Sequence, residues 1–344
     1  MMIDFVVTWV DGNDSDFLAE KRKYSGKNEQ ENNETNGDCR FRSETDMLRF
    51  WFRGVEKYAP WVHKIHFVTC GQKPDWLDES HPLLNLVNHQ DFIPEQYLPT
   101  FNSNTIELNF HRIKRLTEQF VLFNDDMYLL KPVAPEFFFK DGAPVLDTDL
   151  RYPRYVSCMN WCRHLFNDYC LVNMRFDMRK SIWEHRRKWF NLKELGFKRT
   201  RQNLTCYIAN KTLPVGNYGH LALPHLKSTF EEIWSRDGKI LDACCQHRFR
   251  TDDQQNQWLC CAWNQAKGKF YPALEKNLGV RVVITPKKID WACELIRNQS
   301  VPQICTNDTV FNTDYTTSCV RLFDSFSSVF PEKSSFEKYD FCRG

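Results

Sequence analysis

Ile3-Asp4-Phe5-Val6-Val7-Thr8-Trp9-Val10-Asp11-Gly12-Asn13-Asp14 is the stretch that sets the fold class. Its first eight residues are β-branched or aromatic except for Asp4, and its last four are a turn signal. It therefore reads as a core strand that stops at a polar edge. No basic segment precedes it and no small-residue cleavage site follows, which argues against a signal peptide.

Working outward, residues 21–38 are rich in Lys, Asn, Glu and Gly, and read as a solvated polar insertion. Met47, Leu48, Phe50, Trp51, Val55 and Tyr58 then recur at helical spacing over 43–58, with Glu44 and Asp46 near the start. Strands are expected at 64–69, 84–87 and 120–123, and a helix at 105–116. That order describes an α/β sandwich around a largely parallel sheet, with polar clusters where strands end. Three regions follow. Residues 1–150 are the N-terminal part of an α/β unit; 151–216 form a helical, aromatic and basic subregion, helical around 173–195. Residues 217–344 complete the site, with at least two helices over 217–266, a strand at 280–285 and a helix at 315–330.

Composition narrows the class. The 344 residues are 42% hydrophobic and 26% charged with a net charge of +2, ordinary for a globular protein and no argument for a nucleic-acid partner. No run of 18 apolar residues exists, so no ordinary transmembrane helix is expected. Phe (27), Tyr (12) and Trp (11) are abundant, as core or as flat faces for carbohydrate. The 14 Cys include the adjacent pairs Cys244-Cys245 and Cys260-Cys261 and read as mostly free thiols in a reducing compartment. Cys158 and Cys162 lack the further ligands of a zinc site.

Several polar constellations carry chemistry. Asn124-Asp125-Asp126 closes an apolar strand, where adjacent acids need compensation such as a divalent cation bearing a pyrophosphate; a solvated turn is the bland alternative. Asp11 and Gly12 stand in a like place, although Asp-Gly is an everyday turn. Asn102, Ser103 and Glu107 sit where a helix begins, a phosphate-friendly position that a plain N-cap also explains. Arg40-Phe41-Arg42 and Arg248-Phe249-Arg250 offer guanidinium groups for phosphate oxygens or for solvent, and Asp252, Asp253 and Asn256 follow the second. His220 and His225 could supply a general base or an electrostatic clamp. Asn307-Asp308 forms another polar terminus. There is no GxxxxGK[ST], GxSxG or GxGxxG fingerprint.

These stretches together resemble the Stealth family of sugar-phosphate transferases. The first region is 3–14; the second is similar over Arg40-Phe41-Arg42 to Leu48-Arg49, 56–62, 68–72, 99–103, Ile106-Glu107 and Asn124-Asp125-Asp126. The third is His220, Pro224, Leu226-Lys227-Ser228, Arg248-Phe249-Arg250, Asp253 and 256–258. The fourth is 304–308 and 330–337. Cys70 and Leu221-Ala222-Leu223 depart from the pattern, and the absence of large insertions and membrane anchors favours the bacterial capsule-synthesis branch.

The expected fold is α/β, a Rossmann-like or GT-A-like mostly parallel sheet with helices on both faces, plus a helical region. The resemblance implies transfer of a hexose- or N-acetylhexosamine-1-phosphate from a UDP-sugar to an oligosaccharide or capsule-polymer hydroxyl, releasing UMP. His220, Asp125, Asp126, Arg248 and Arg250 are then the catalytic candidates, with Asp125 and Asp126 holding Mg2+ or Mn2+. Asp11, Gly12, Arg42, Asn102, Ser103, Glu107, Asn124, Asp253, Asn256, Asn307 and Asp308 would bind substrate. The expected setting is the cytoplasm or the inner membrane face, beside capsule-assembly proteins. A glycosyltransferase releasing UDP and a non-catalytic carbohydrate-binding protein are the alternatives.

Overall fold

The fold was obtained as a computed structural model, which describes residues 2–25, 46–150, 160–209, 219–308 and 314–340. The opening stretch forms the central strand β1 (Ile3–Thr8) of a five-stranded sheet. Its neighbours are β2 (Lys64–Thr69) and β3 (Leu84–Asn88) on one side, β4 (Gln119–Asn124) and β8 (Leu223–Leu226) on the other, in the order β3-β2-β1-β4-β8. Phe5 and Val7 join Val121 and Phe123 in one apolar core, whereas Val6 joins Phe120 and Leu122 in a second. This two-residue alternation is what a sheet buried on both faces requires. Helices Met47–Tyr58, Ile289–Arg297 and Tyr315–Val329 line the first core, and Asn160–Arg175, Lys227–Cys245 and Trp258–Ala266 the second.

Asp4, the one acid inside β1, is fully buried. It accepts hydrogen bonds from Thr117 N at 2.8 Å and pairs with His63 Nδ1 at 2.8 Å and His66 Nε2 at 3.1 Å. Burial would raise its pKa, but the bonds from His66, Thr117 and His63 outweigh that and hold it below the ordinary value. It fastens the amino-terminal edge of the sheet.

The fold is α/β, but its sheets are mixed. β1 to β4 pair in parallel, while β8 runs antiparallel to β4. A second sheet sets β11 (Gln303–Asn307) parallel to β10 (Val280–Val283) and antiparallel to β5 (Met127–Leu129). In the third, β7 (Ala143–Asp147) is antiparallel to β6 (Phe139–Lys140) and parallel to β9 (Tyr271–Ala273). The expected mostly parallel sheet is therefore confined to four strands. After β4 the chain leaves the main sheet and returns only at β8, a path long enough to arrive in either direction. Residue periodicity carries no information about that choice.

Two local expectations are also corrected. The helix foreseen over 105–116 is Ser103–Leu108 followed by a short 3-10 turn, Phe110–Arg112. Asn102 caps its start, and Asn109 ends it by turning its amide back to Thr105 O at 2.8 Å. Of the polar insertion at 21–38, residues 21–25 finish helix Ser15–Ser25, with Lys21 buried; the remainder lies outside the described residues. Helices Asn160–Arg175, Met178–Glu184, Arg186–Trp189 and Leu192–Ala209 fill the middle region. All eleven described cysteines are free thiols; Cys158 is not among them.

A buried clamp ties the C-terminal segment to helix Met47–Tyr58. Glu337 accepts from Arg49 Nη1 at 2.9 Å and from Arg53 Nε and Nη2 at 2.8 and 2.7 Å. The same helix passes close over β5, where a Cβ on Gly54 would lie 3.0 Å from Leu129 O.

Candidate functional site

Asp125 and Asp126 occupy the turn through which the chain passes from β4 in the first sheet to β5 in the second. β1 and β4 are parallel with Thr8 opposite Asn124, so Asp11 and Asn124-Asp125-Asp126 leave the sheet at one carboxyl edge. β8 and β11 bring in His220 and Cys305. Asn124 Nδ2 lies 3.3 Å from His220 Nε2. Cys305 Sγ donates to Asp126 Oδ2 at 3.3 Å, and Asn307 Nδ2 approaches the same oxygen at 3.5 Å. Thr306 N donates to the Asp126 carbonyl at 2.9 Å, fixing the turn to β11. Arg281 in turn donates to Asn307 Oδ1 at 2.9 Å.

Acidic groups crowd one another here. Burial, reinforced by the neighbouring Asp126 charge, pushes Asp125 up to about 7. Burial and the same carboxylates raise the Cys305 thiol and the Tyr128 phenol far above their usual ranges. Asp126 Oδ1 is buried with no hydrogen-bond partner. Donor atoms of Asp126, His220 and Cys305 lie within 4.8 Å of one another. These residues fit a divalent cation: carboxylate oxygen suits Mg2+, whereas imidazole and thiol favour Mn2+ or a softer ion.

A second polar group is built by helix Ser103–Leu108 and loop 247–257. The helix connects the carboxyl end of β3 to the amino end of β4, so Asn102 and Ser103 lie toward the edge that carries Asp125. Asn102 donates to His247 O at 3.0 Å and Phe249 O at 3.2 Å, and its side chain caps Asn104 N at 3.1 Å. Phe101 stacks on Phe249 with centroids 5.3 Å apart, and Arg248 donates to Pro99 O at 2.5 Å. Arg250 donates to Ser103 Oγ. Glu107 is buried and pushed up to about 7 by desolvation, offset in part by the Arg250 charge and by Ser103. Asp168, beneath it, accepts from Asn256 N at 3.1 Å and is raised well above the carboxylate range by burial.

Most of the described residues singled out from the sequence thus fall into two groups. Asn124, Asp125, Asp126, His220 and Asn307 converge, with Asp308 just beyond β11. Asn102, Ser103, Glu107, Arg248, Arg250 and Asn256 form the second group, where Asn256 Oδ1 also accepts from Trp258 N at 2.8 Å. Asp11 is held by Gln72, which accepts from its N–H at 2.8 Å and donates to its carbonyl at 3.0 Å, with Gly12 next in the turn. Asp253 is exposed and bonded to Thr251. His225 is buried in the second core, bonded to Gln257 at 2.6 Å and pushed down to about 4 by burial. Arg40 and Arg42 lie outside the described residues. Cys305 and Gln72 are site neighbours to which the sequence reading gave no role, although both lie in stretches that carry the resemblance, and Asp168 was missed. A buried cysteine beside Ile304 looks like packing, and nothing local links it to an acid 179 positions away.

Known proteins place these observations. Residues 1–29 match the family model described as Stealth protein CR1, conserved region 1, and residues 40–145 match Stealth protein CR2, conserved region 2. A capsular polysaccharide phosphotransferase WcwK of Streptococcus pneumoniae is 38% identical, covering 98% of this chain and 99% of its own. The receptor polysaccharide phosphotransferase WefC of Streptococcus oralis is 36% identical over 97% and 99% of the two chains. The capsular polysaccharide phosphotransferase eps5J of Streptococcus thermophilus is 43% identical over 56% of this chain and 79% of its own.

Proposed function

We propose a reaction on one premise: this chain belongs to the Stealth family. It is a phosphotransferase, as the curated relatives matched over nearly their full length are named. Our reading is transfer of a hexose- or N-acetylhexosamine-1-phosphate from a UDP-sugar to a hydroxyl of an oligosaccharide or capsule polymer. The acceptor oxygen attacks the phosphorus that bears the sugar, the bond from that phosphorus to the bridging oxygen breaks, and UMP departs with the bond's electrons. The acceptor proton passes to the imidazole of His220.

The observation that best supports this is the convergence of Asp126, His220 and Cys305 within 4.8 Å beside Asp125, with Asn124 against His220 and Asp126 Oδ1 buried and unpartnered. Asp125 and Asp126 would hold Mg2+ or Mn2+, which when bound neutralises the diphosphate oxygens. Asn124 orients the His220 ring. Arg248 and Arg250 would offset charge on the transferred phosphoryl group, while Asp11, Gly12, Arg42, Asn102, Ser103, Glu107, Asp253, Asn256, Asn307 and Asp308 shape the donor and acceptor sites around it. Among the described residues no helix is long and apolar enough to cross a membrane. We place the enzyme in the cytoplasm, where nucleotide-sugars are made, working alongside capsule-assembly proteins.

The test uses UDP-N-acetylglucosamine and other UDP-sugars labelled in the β-phosphate, with short acceptors and Mg2+ or Mn2+. Label in the saccharide product is expected; label retained in UDP identifies a glycosyltransferase and refutes the reading. His220→Ala and Asp125→Ala should each cut turnover at least about 100-fold, the scale of a lost proton acceptor or charge stabiliser. Rates near the parent would remove those residues from the mechanism. Mn2+ titration of His220→Ala separates its two roles, since a general base leaves metal affinity unchanged and a ligand does not.

A further inference from the structure

Residues 178–209 carry nine Lys and Arg against two Asp and Glu, in a chain whose net charge is +2. The same middle region is apolar where it should not be. Seven of the twelve exposed large apolar side chains among the described residues fall between 160 and 209. Scattered exposed apolar residues are ordinary, but three of these seven share one side of a single helix. After the kink at Gly196, whose φ is 67°, Phe197, Arg201, Leu204 and Ile208 follow at helical spacing. Phe197 is 72% exposed, Leu204 41% and Ile208 67%.

The opposite side of that helix is fixed. Buried Asn203 donates to Thr148 O at 3.0 Å and Trp189 O at 2.9 Å, so the stripe cannot roll inward without breaking both bonds. Trp183, 54% exposed, stacks on Tyr207 at 6.1 Å and widens the stripe onto helix Met178–Glu184. Cations border it. Arg179 lies over the Tyr207 ring at 4.7 Å and Arg186 over the Trp183 ring at 5.3 Å. Lys180, Arg187 and Lys198 are exposed nearby, Lys180 with Glu184 at 3.9 Å.

We infer that this face docks on an anionic phospholipid bilayer, with Trp183, Phe197, Leu204 and Ile208 entering the headgroup boundary. The charge complements anionic lipid, and the apolar side chains match an interfacial helix, tryptophan and basic flanks included. Aliphatic Leu and Ile in the stripe fit acyl chains better than a saccharide, which is gripped by flat rings and hydrogen-bonding groups. The inference extends the proposed function to its place of work, and its test reads binding without turnover, so the two can fail separately.

The full chain is sedimented with vesicles of phosphatidylcholine alone or with about 30% phosphatidylglycerol, a composition that gives the surface potential the basic face needs. Binding to the anionic vesicles only, released by raised NaCl, is expected. The paired variants Phe197→Ser with Ile208→Ser, and Arg186→Glu with Arg201→Glu, should each weaken it at least about tenfold. Unchanged far-UV circular dichroism confirms that they fold. Failure of the parent chain to bind anionic vesicles overturns the inference, as does equal binding to both vesicle types. Retention of the parent's affinity by both folded variants would do so too. So would salt-sensitive capture of soluble capsule polymer on this face without any lipid binding.

Discussion

Replacing Glu337 by alanine tests the account of the C-terminal clamp most severely. Glu337 is 4% exposed and its carboxylate takes three bonds from Arg49 and Arg53, plus Ser334 N and Oγ at 2.9 and 3.0 Å. Its removal leaves two guanidiniums whose side chains are only 4% and 2% exposed. Among the described acids, Asp46 and Asp340 remain beside them, but these are 56% and 54% exposed and better hydrated. Breaking a buried pair by removing one partner costs about 3–5 kcal/mol, and the two outer acids place Glu337→Ala near the lower end. In urea, followed by tryptophan fluorescence, a loss of about 3 kcal/mol lowers the midpoint by about 1 M for a typical m. Glu337→Gln keeps the shape and should lose less. Burial would raise the Glu337 carboxyl, but bonds from Arg53, Ser334 and Arg49 hold it below its ordinary value. Its stabilisation is therefore complete above that ordinary value and vanishes as pH falls through the lower folded one. The gap between parent and variant must narrow at acid pH. A midpoint within about 0.2 M of the parent at neutral pH, where typical m values make this well under 1 kcal/mol, would refute the clamp as an energetic feature.

Glu107 should behave in the opposite sense. Its folded-state value of about 7 lies above the ordinary 4.5, so folding takes up a proton and stability falls as pH rises between those values, then levels off. Glu107→Gln should flatten that slope and gain up to about 3 kcal/mol above pH 7, read as urea midpoints at pH 5 and 8; parallel pH profiles would count against it. Gly54→Ala sets a Cβ 3.0 Å from Leu129 O and should cost about 1–2 kcal/mol despite the better helix former. Because β5 carries the Asp125-Asp126 turn, kcat should fall with it, and an unaltered kcat would separate that helix from the site.

Much of the fold was legible because strand runs and the helix Met47–Tyr58, expected over 43–58, announce themselves by period. β1, β2, β4 and the helix at Tyr315–Val329 fall within two residues of expectation at each end. Sheet direction was not legible, since β5 and β8 are too short to declare a partner and are fixed by pairing with distant strands. Asp4 looked like an interruption in an apolar run; only the return of His63, His66 and Thr117 explains a buried acid there. Asn124, Asp125, Asp126 and His220 were visible as polar ends. Their junction with Cys305 and Asn307 was not, because it is made by tertiary closure alone.

That closure has a consequence for synthesis of the chain. Asn124 meets His220 across 96 positions, Asp126 meets Cys305 across 179, and Arg53 meets Glu337 across 284. Contacts of such span form late, after the entropy of closing long loops has been met. A ribosome-bound fragment that ends before β11 already has both acids but lacks the strand that anchors their turn. Chains cut short there should neither bind donor nor break its diphosphate. Reactivity would then arrive only once β11 has been made, and a nascent or truncated product lacking it would leave the nucleotide-sugar pool untouched.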